Sequence, residues 1–416
     1  MYIHRELEDK IQPFLKRKEI LVIVGPRQAG KTTFLEYLKK VLEEKGKKVK
    51  FITFEKRENL ALFQENLEDF KDLYSGYEIV IIDEFQYAKD GGQKLKYLYD
   101  TTKTKYIISG SSSLELTFQT GKYLVGRMFK FILLPFSFRE YLSFADKELY
   151  DLLCKRNLGL TRFKPSDAFG DVINQRLERQ FERYLVYGGY PSVVLTREDK
   201  IKQKILESIL DNYLLKDIRS LLQLATEDEL VRLVKFLSAQ IGNLVEYGEL
   251  SNSSGLNYKN LLKHLEILKQ TYIIDFVKPF FTNRRTELTK IPKVYFIDMG
   301  LRNYALLDFR PASLREDIGG LAENYVFTFL KKQEDIFKEM HFWRTKSKAE
   351  VDFVIKEKNE IVPIEVRYSK RPVMGKSLHS FIEKFTPKKA IVLTKGYNDR
   401  KKVGNSWVIF LPIYYL

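Results

Sequence analysis

The stretch Ile20-Leu21-Val22-Ile23-Val24-Gly25-Pro26-Arg27-Gln28-Ala29-Gly30-Lys31-Thr32 decides how the first third of this chain folds. Its five leading apolar residues predict a strand buried on both faces, as in a parallel sheet. Thr33-Phe34-Leu35-Glu36-Tyr37-Leu38 then opens a helical pattern. Between them the spacing Gly-x-x-x-x-Gly-Lys-Thr lets backbone N–H groups face an anion with no side chain in the way. The helix start, with its partial positive charge, favours that anion. Gly25, Pro26, Arg27, Gln28, Ala29, Gly30, Lys31, Thr32 and Thr33 are therefore expected to cradle the phosphates of a nucleoside triphosphate. In such a loop Lys31 reaches the β- and γ-phosphates and the Thr32 hydroxyl ligates Mg²⁺.

A second apolar strand pattern, Ile79-Val80-Ile81-Ile82, ends in Asp83-Glu84. An Asp at the carboxyl end of such a strand can hold Mg²⁺ through water, and the adjacent Glu84 can deprotonate an attacking water. Gln86 lies two residues further on and offers another group to orient that water. Lys48 to Phe54 and Lys105 to Ser111 read as further strands, and Ser109 or Ser111 has two readings: a hydroxyl placed to feel the γ-phosphate, or a plain strand-to-loop turn. Strands alternating with helices imply a parallel sheet with its ligand at the strand carboxyl ends. After Gly126, Arg127 has two readings: an arginine finger, in its own chain or across subunits, or a structural ion-pair residue.

At 416 residues the chain exceeds one ordinary core, and its apolar content of 44% is enough for globular packing. No apolar run approaches the roughly twenty residues of a membrane helix. The Lys- and Glu-rich start does not read as a secretory leader, so a cytoplasmic protein is expected. A single cysteine, Cys154, excludes an internal disulfide, and four scattered histidines show no zinc cluster. The formal net charge of +16 points to an anionic partner, with nucleic acid the first candidate and DNA favoured.

Four regions are expected: a nucleotide core over 1–140, a helical lid over 141–235, a winged helix over 236–305 and a second α/β domain over 306–416. The lid is interrupted by the turn Gly188-Gly189-Tyr190-Pro191. The third region has the order helix, turn, helix, ribbon. Its candidate recognition helix carries Lys259, Lys263, His264 and Lys269, and its ribbon tip Arg284 and Arg285. Such modules bind nucleic acid or protein, and both readings stand here.

In the last hundred residues a helix carries Glu323, and two strands carry Asp352 and Glu365 with Arg367. Glu365 and Arg367 share a face because strand side chains repeat every second residue. Carboxylates and a cation on one sheet edge can bind Mg²⁺ and activate water for phosphodiester cleavage. The constellation resembles the PD-(D/E)XK pattern of restriction-endonuclease-like folds. It departs from it at Arg367, where the pattern has Lys: a guanidinium stabilises charge but does not manage a proton.

Taken in order, several segments extend the likeness over most of the chain. They are the loop Gly25–Thr33, Asp83-Glu84-Phe85-Gln86, Ser109-Gly110-Ser111-Ser112, Gly126-Arg127, Leu134 to Glu140, the Gly188–Pro191 turn and the Glu-Val-Asp-Phe…Pro-Ile-Glu-Val tail. The whole resembles prokaryotic, largely archaeal, AAA+/STAND-like ATPases with a winged helix and a nuclease-like C-terminal domain of unknown function. That resemblance implies an α/β fold: a P-loop parallel-sheet domain with a helical lid, a winged helix and a C-terminal α/β nuclease-like domain. It also implies ATP and Mg²⁺ as ligands, with the Pro191 turn near the base. Three functions follow as expectations: a nucleotide-driven ATPase switch associated with nucleic acid, an ATP-gated Mg²⁺-dependent nuclease, or a non-catalytic nucleotide-binding scaffold with an inactive nuclease fold whose charges pair with each other. A protein partner or a homo-oligomer is compatible with each.

Overall fold

The computed structural model describes residues 2–111, 124–156, 159–211, 228–280, 291–333, 338–358 and 360–416. The chain divides into two compact units, Met1–Pro135 with Gln270–Ile273, and Phe136–Lys269 with Ile274–Leu416. Among the described residues no helix is long and apolar enough to cross a membrane.

The first unit is built on five strands: β1 (Ile20–Val24), β2 (Val49–Thr53), β3 (Ile79–Asp83), β4 (Lys105–Gly110) and β5 (Met128–Ile132). Their order is β2-β3-β4-β1-β5, and every pairing is parallel. β1, β3 and β4 are buried along their whole length, which is why residues 20–24, 79–82 and 106–108 read as apolar runs without alternation. The helix Lys31–Glu44 places Phe34, Leu35, Leu38 and Leu42 in one core with Leu21, Ile23, Ile81 and Ile107 of the sheet. These helix positions recur at three- and four-residue spacing, so one stripe of the helix covers the sheet.

The fifth strand has no clear sequence signature. β5 lies at the sheet edge and pairs only with β1, from Ile20↔Met128 to Val24↔Ile132. Its partly exposed residues and Lys130 hide it among the surrounding Phe and Leu positions.

The second unit starts with helices Phe138–Ala145, Lys147–Arg156, Asp171–Tyr187, Pro191–Val194 and Asp199–Asp211. Helices Asp228–Ala239, Tyr247–Ser254 and Tyr258–Gln270 follow. Its sheet comprises β6 (Ile274–Pro279), β7 (Lys293–Phe296), β8 (Lys338–Arg344), β9 (Glu350–Glu357), β10 (Glu360–Arg367), β11 (Lys389–Thr394), β12 (Asp399–Val403) and β13 (Ser406–Pro412). The order is β12-β13-β11-β10-β9-β8-β6-β7, with both parallel and antiparallel neighbours. The β6–β7 ribbon therefore does not stand apart. Lys278 and Pro279 of β6 pair with His341 and Phe342 of β8, which joins the ribbon to the C-terminal strands.

Candidate functional site

The phosphate loop leaves β1 at Gly25 and ends at Gly30, the residue before the helix Lys31–Glu44. Gly25 has φ of 155°, and a Cβ there would stand 2.2 Å from the Leu133 carbonyl oxygen. Gly30 has φ of 89°, a left-handed conformation that costs a glycine little. Arg27, Gln28, Thr32 and Thr33 are exposed, whereas Ala29 and Lys31 are buried.

The Lys31 ammonium donates to the carbonyls of Gly25 at 3.0 Å and Pro26 at 2.8 Å, folding the side chain back over its own loop. Burial lowers its pKa to about 8, against the opposing pull of the Glu84 and Asp83 charges. Asp83, at the end of β3 and buried, accepts from the Thr32 hydroxyl at 2.7 Å and also from the Ser109 hydroxyl. Lys31, Thr32, Asp83 and Ser109 thus meet at the carboxyl ends of β1, β3 and β4. The parallel register puts these three ends side by side.

Glu84 follows with φ of 55°, a left-handed conformation uncommon outside glycine and frequent at functional turns. Its carboxylate accepts from the Gln86 side-chain amide. Burial and the neighbouring Asp83 charge raise its pKa, while the Gln86 bond and Lys31 pull the other way.

One residue of this site gave no signal in the sequence. Arg5 is buried and donates from Nη1 to the Ala29 carbonyl at 3.0 Å, with a second bond to the Leu134 carbonyl. It ties the loop to the chain after β5. A charged residue in a Lys- and Glu-rich amphipathic start reads as surface, and only the tertiary structure distinguishes it.

Arg127 requires a correction as a finger within its own chain. Its carbonyl accepts from the Ile20 N–H, so it stands at the amino end of β1 and β5. In a parallel sheet that end is opposite the loop, about 13 Å away along β1 at roughly 3.3 Å per residue. Its guanidinium pairs there with Asp100 at 3.1 Å.

The other candidates belong to the second unit. Gly188 and Gly189 wrap the buried carboxylate of Asp298. The Gly189 N–H donates to Asp298 Oδ2 at 2.7 Å, and a Cβ on Gly188 would meet Oδ1 at 2.3 Å. Pro191 opens the short helix Pro191–Val194 immediately after. This turn is built around the Asp298 carboxylate, which lies more than a hundred residues away in the chain.

On the helix Tyr258–Gln270, Lys259, Lys263 and Lys269 are exposed. His264 is not available as a contact: its ring is buried, with Nδ1 2.7 Å from the Asn260 carbonyl, and burial lowers its pKa. Arg284 and Arg285 lie outside the described residues.

Each of the nuclease-like carboxylates has a partner within the chain. Glu323 accepts from Tyr295 at 2.6 Å and from Lys293 at 3.1 Å. Asp352 accepts from the Val366 N–H at 2.7 Å; burial and the Glu323 charge raise its pKa, against Lys293 and Arg367. Glu365 is fully buried, pairs with Arg367 and accepts from the Gly375 N–H at 3.3 Å. Among the described residues no three His, Cys, Asp or Glu side chains are grouped as metal ligands would be.

Comparison with known proteins supports the class that this geometry defines. Residues 17–142 match a family model described as an AAA domain. Residues 178–313 and 318–415 match two models described as domains of unknown function, DUF8612 and DUF4143. The matched stretch, which holds the phosphate loop, Asp83 and Ser109, is thus similar to an AAA domain.

Relatives cover nearly the whole chain. An uncharacterized protein of Methanocaldococcus jannaschii is 24% identical, with 98% of this chain and 86% of that one covered. An uncharacterized protein of Haemophilus influenzae is 23% identical, with 99% and 96% covered. Among solved structures, AMPPCP-bound DnaA from Aquifex aeolicus is 13% identical over 65% of this chain and 90% of that one, at a TM-score of 0.30. The Aeropyrum pernix ORC1 protein in complex with DNA is 13% identical over 74% and 93%, also at 0.30. At such scores the structural likeness carries no argument.

Proposed function

We propose that the first unit binds ATP with Mg²⁺ and hydrolyses it, and that this cycle acts as a switch on a second unit that faces nucleic acid. The observation that carries the proposal is Asp83, whose one carboxylate joins the loop hydroxyl of Thr32 to Ser109 of β4. Hydroxyl and carboxylate oxygens are the hard donors that Mg²⁺ takes, so Thr32 and, through water, Asp83 fit the ion. When bound, Mg²⁺ neutralises charge on the phosphate oxygens.

The chain's own groups have distinct tasks. Backbone N–H groups of the loop receive the phosphates, and Lys31 leaves the Gly25 and Pro26 carbonyls for the β- and γ-phosphate oxygens. Glu84 takes a proton from the water that attacks the γ-phosphorus, as the bond to the β–γ bridging oxygen breaks and ADP departs. A carboxylate with a raised pKa is the better proton acceptor for that step.

Nucleic acid as partner rests on the net charge of +16 and on the exposed Lys259 and Lys263 of one helix. The test is ATP turnover with and without single- and double-stranded DNA and RNA, at several salt concentrations. Stimulation that fades steeply with salt is expected, because phosphate contacts release counterions. Turnover indifferent to all four nucleic acids removes that partner. Retained nucleotide with no turnover at all would favour a non-catalytic scaffold.

A further inference from the structure

Lys293 had no role in the sequence reading, yet it occupies the centre of the C-terminal carboxylates. It sits on β7, and its side chain is only 2% exposed. Its ammonium lies 3.1 Å from Glu323 of the helix Ile318–Lys332 and 2.5 Å from Glu350 of β9. β7 and β9 are not neighbours in the sheet, so the lysine bridges elements that the strand ladder leaves apart. Tyr295, two residues on, donates to the same Glu323 oxygen.

The remaining carboxylates also have partners within the chain. Arg344 holds the second oxygen of Glu350 at 3.0 Å, the Val366 N–H holds Asp352, and Arg367 holds Glu365. Gly375 closes over that last pair, since a Cβ there would stand 2.5 Å from Glu365 Oε1 and 3.1 Å from Arg367 Nη2.

A divalent cation among Glu323, Glu350 and Asp352 would have to share their oxygens with a buried ammonium. Two cations cannot occupy one such space without strong repulsion in a weakly screening interior. The residues do not fit the metal that a nuclease-like sheet implies.

We infer that Lys293 is a built-in counter-cation standing where that metal would sit, so that the C-terminal sheet takes no divalent ion and serves as a packed shape rather than a phosphodiesterase. The inference is independent of the nucleotide reading, which concerns the other unit.

The experiment counts Mn²⁺ bound to the full chain, without nucleotide, from the EPR signal of the free ion. An Asp83→Asn background removes the carboxylate of the phosphate-loop site. With Lys293 in place, titration to roughly a millimolar, a weak-site range, should reveal no site that depends on Glu323 or Asp352. Lys293→Met should gain one saturable site, which a further Glu323→Gln should remove.

Saturable binding by the Lys293 chain that falls tenfold or more in Glu323→Gln or Asp352→Asn overturns the inference. So does a Lys293→Met chain that is folded by circular dichroism yet gains nothing. Where Lys293→Met does not fold, the Lys293 chain decides alone. Its melting temperature should be the same in Mn²⁺ and in EDTA, and a rise in Mn²⁺ that Glu323→Gln cancels contradicts the inference.

Discussion

The Thr32 hydroxyl donates to the Asp83 carboxylate across 2.7 Å, joining the first turn of the helix Lys31–Glu44 to the end of β3. These residues are fifty-one positions apart in the chain, and the parallel sheet alone brings them together. Asp83 accepts from Ser109 as well, so its orientation is fixed before any ligand arrives. Preorganised groups of this kind are worth most in a buried site, where no reorganisation is left for the reaction. Asp83→Asn keeps the shape and removes the charge. Phosphate release by that variant should fall by about 10²–10³-fold, and turnover equal to the unsubstituted chain would contradict the role given to Asp83.

Substitution of Glu84 distinguishes binding from chemistry. The Glu84 carboxylate is held by Gln86. Glu84→Gln should leave ATP affinity within a few-fold while lowering turnover by about 10²–10⁴-fold, the usual span for a lost general base. Equilibrium binding and steady-state phosphate release on one preparation check this. Parallel losses in both would make Glu84 a structural residue instead.

Much of the first unit was legible because a strand buried on both faces has no reason to alternate. β1, β3 and β4 therefore announce themselves, and the glycine spacing between β1 and its helix has a mechanical reason. Edge strand β5 is half-exposed and carries Lys130, so its pattern is diluted, and without that strand the sequence leaves Arg127 open between a finger and an ion-pair residue. Arg5 and Lys293 were invisible for a different reason. A buried cation looks like any surface cation until its carbonyl or carboxylate partners are known, and those come from remote segments. His264 failed in reverse, since a helix face assigned from charge alone put a core side chain among solvent-facing lysines.

Asp298 gives the second unit a pH signature. It caps the helix Met299–Ala305 through the Leu301 N–H at 3.1 Å, and burial raises its pKa from 3.8 to about 6, against the backbone bonds it accepts from Gly189, Leu301 and Gly300. A carboxyl raised on folding binds its proton more tightly in the native state. Its contribution therefore becomes unfavourable as pH rises from about 4 to 6 and levels off above that. Relative to Asp298→Asn, the unsubstituted chain should lose on the order of 2–3 kcal/mol of stability across that window. Denaturant unfolding of both chains at pH 4, 5, 6 and 7 measures the difference. A difference that stays flat, or that grows in favour of the unsubstituted chain as pH rises, contradicts the assignment.

The central claim is that the loop between β1 and its helix receives a magnesium–triphosphate, with Lys31 released from the Gly25 and Pro26 carbonyls to meet it. Calorimetric titration of the full chain with ATP and Mg²⁺, beside Lys31→Ala, tests it most directly. Saturable binding with a Kd in the micromolar range, about −8 kcal/mol, is expected from the unsubstituted chain, and the variant should lose it. A folded, unsubstituted chain that releases no heat with millimolar ATP, or a Lys31→Ala variant that binds as well as its parent, would contradict the account.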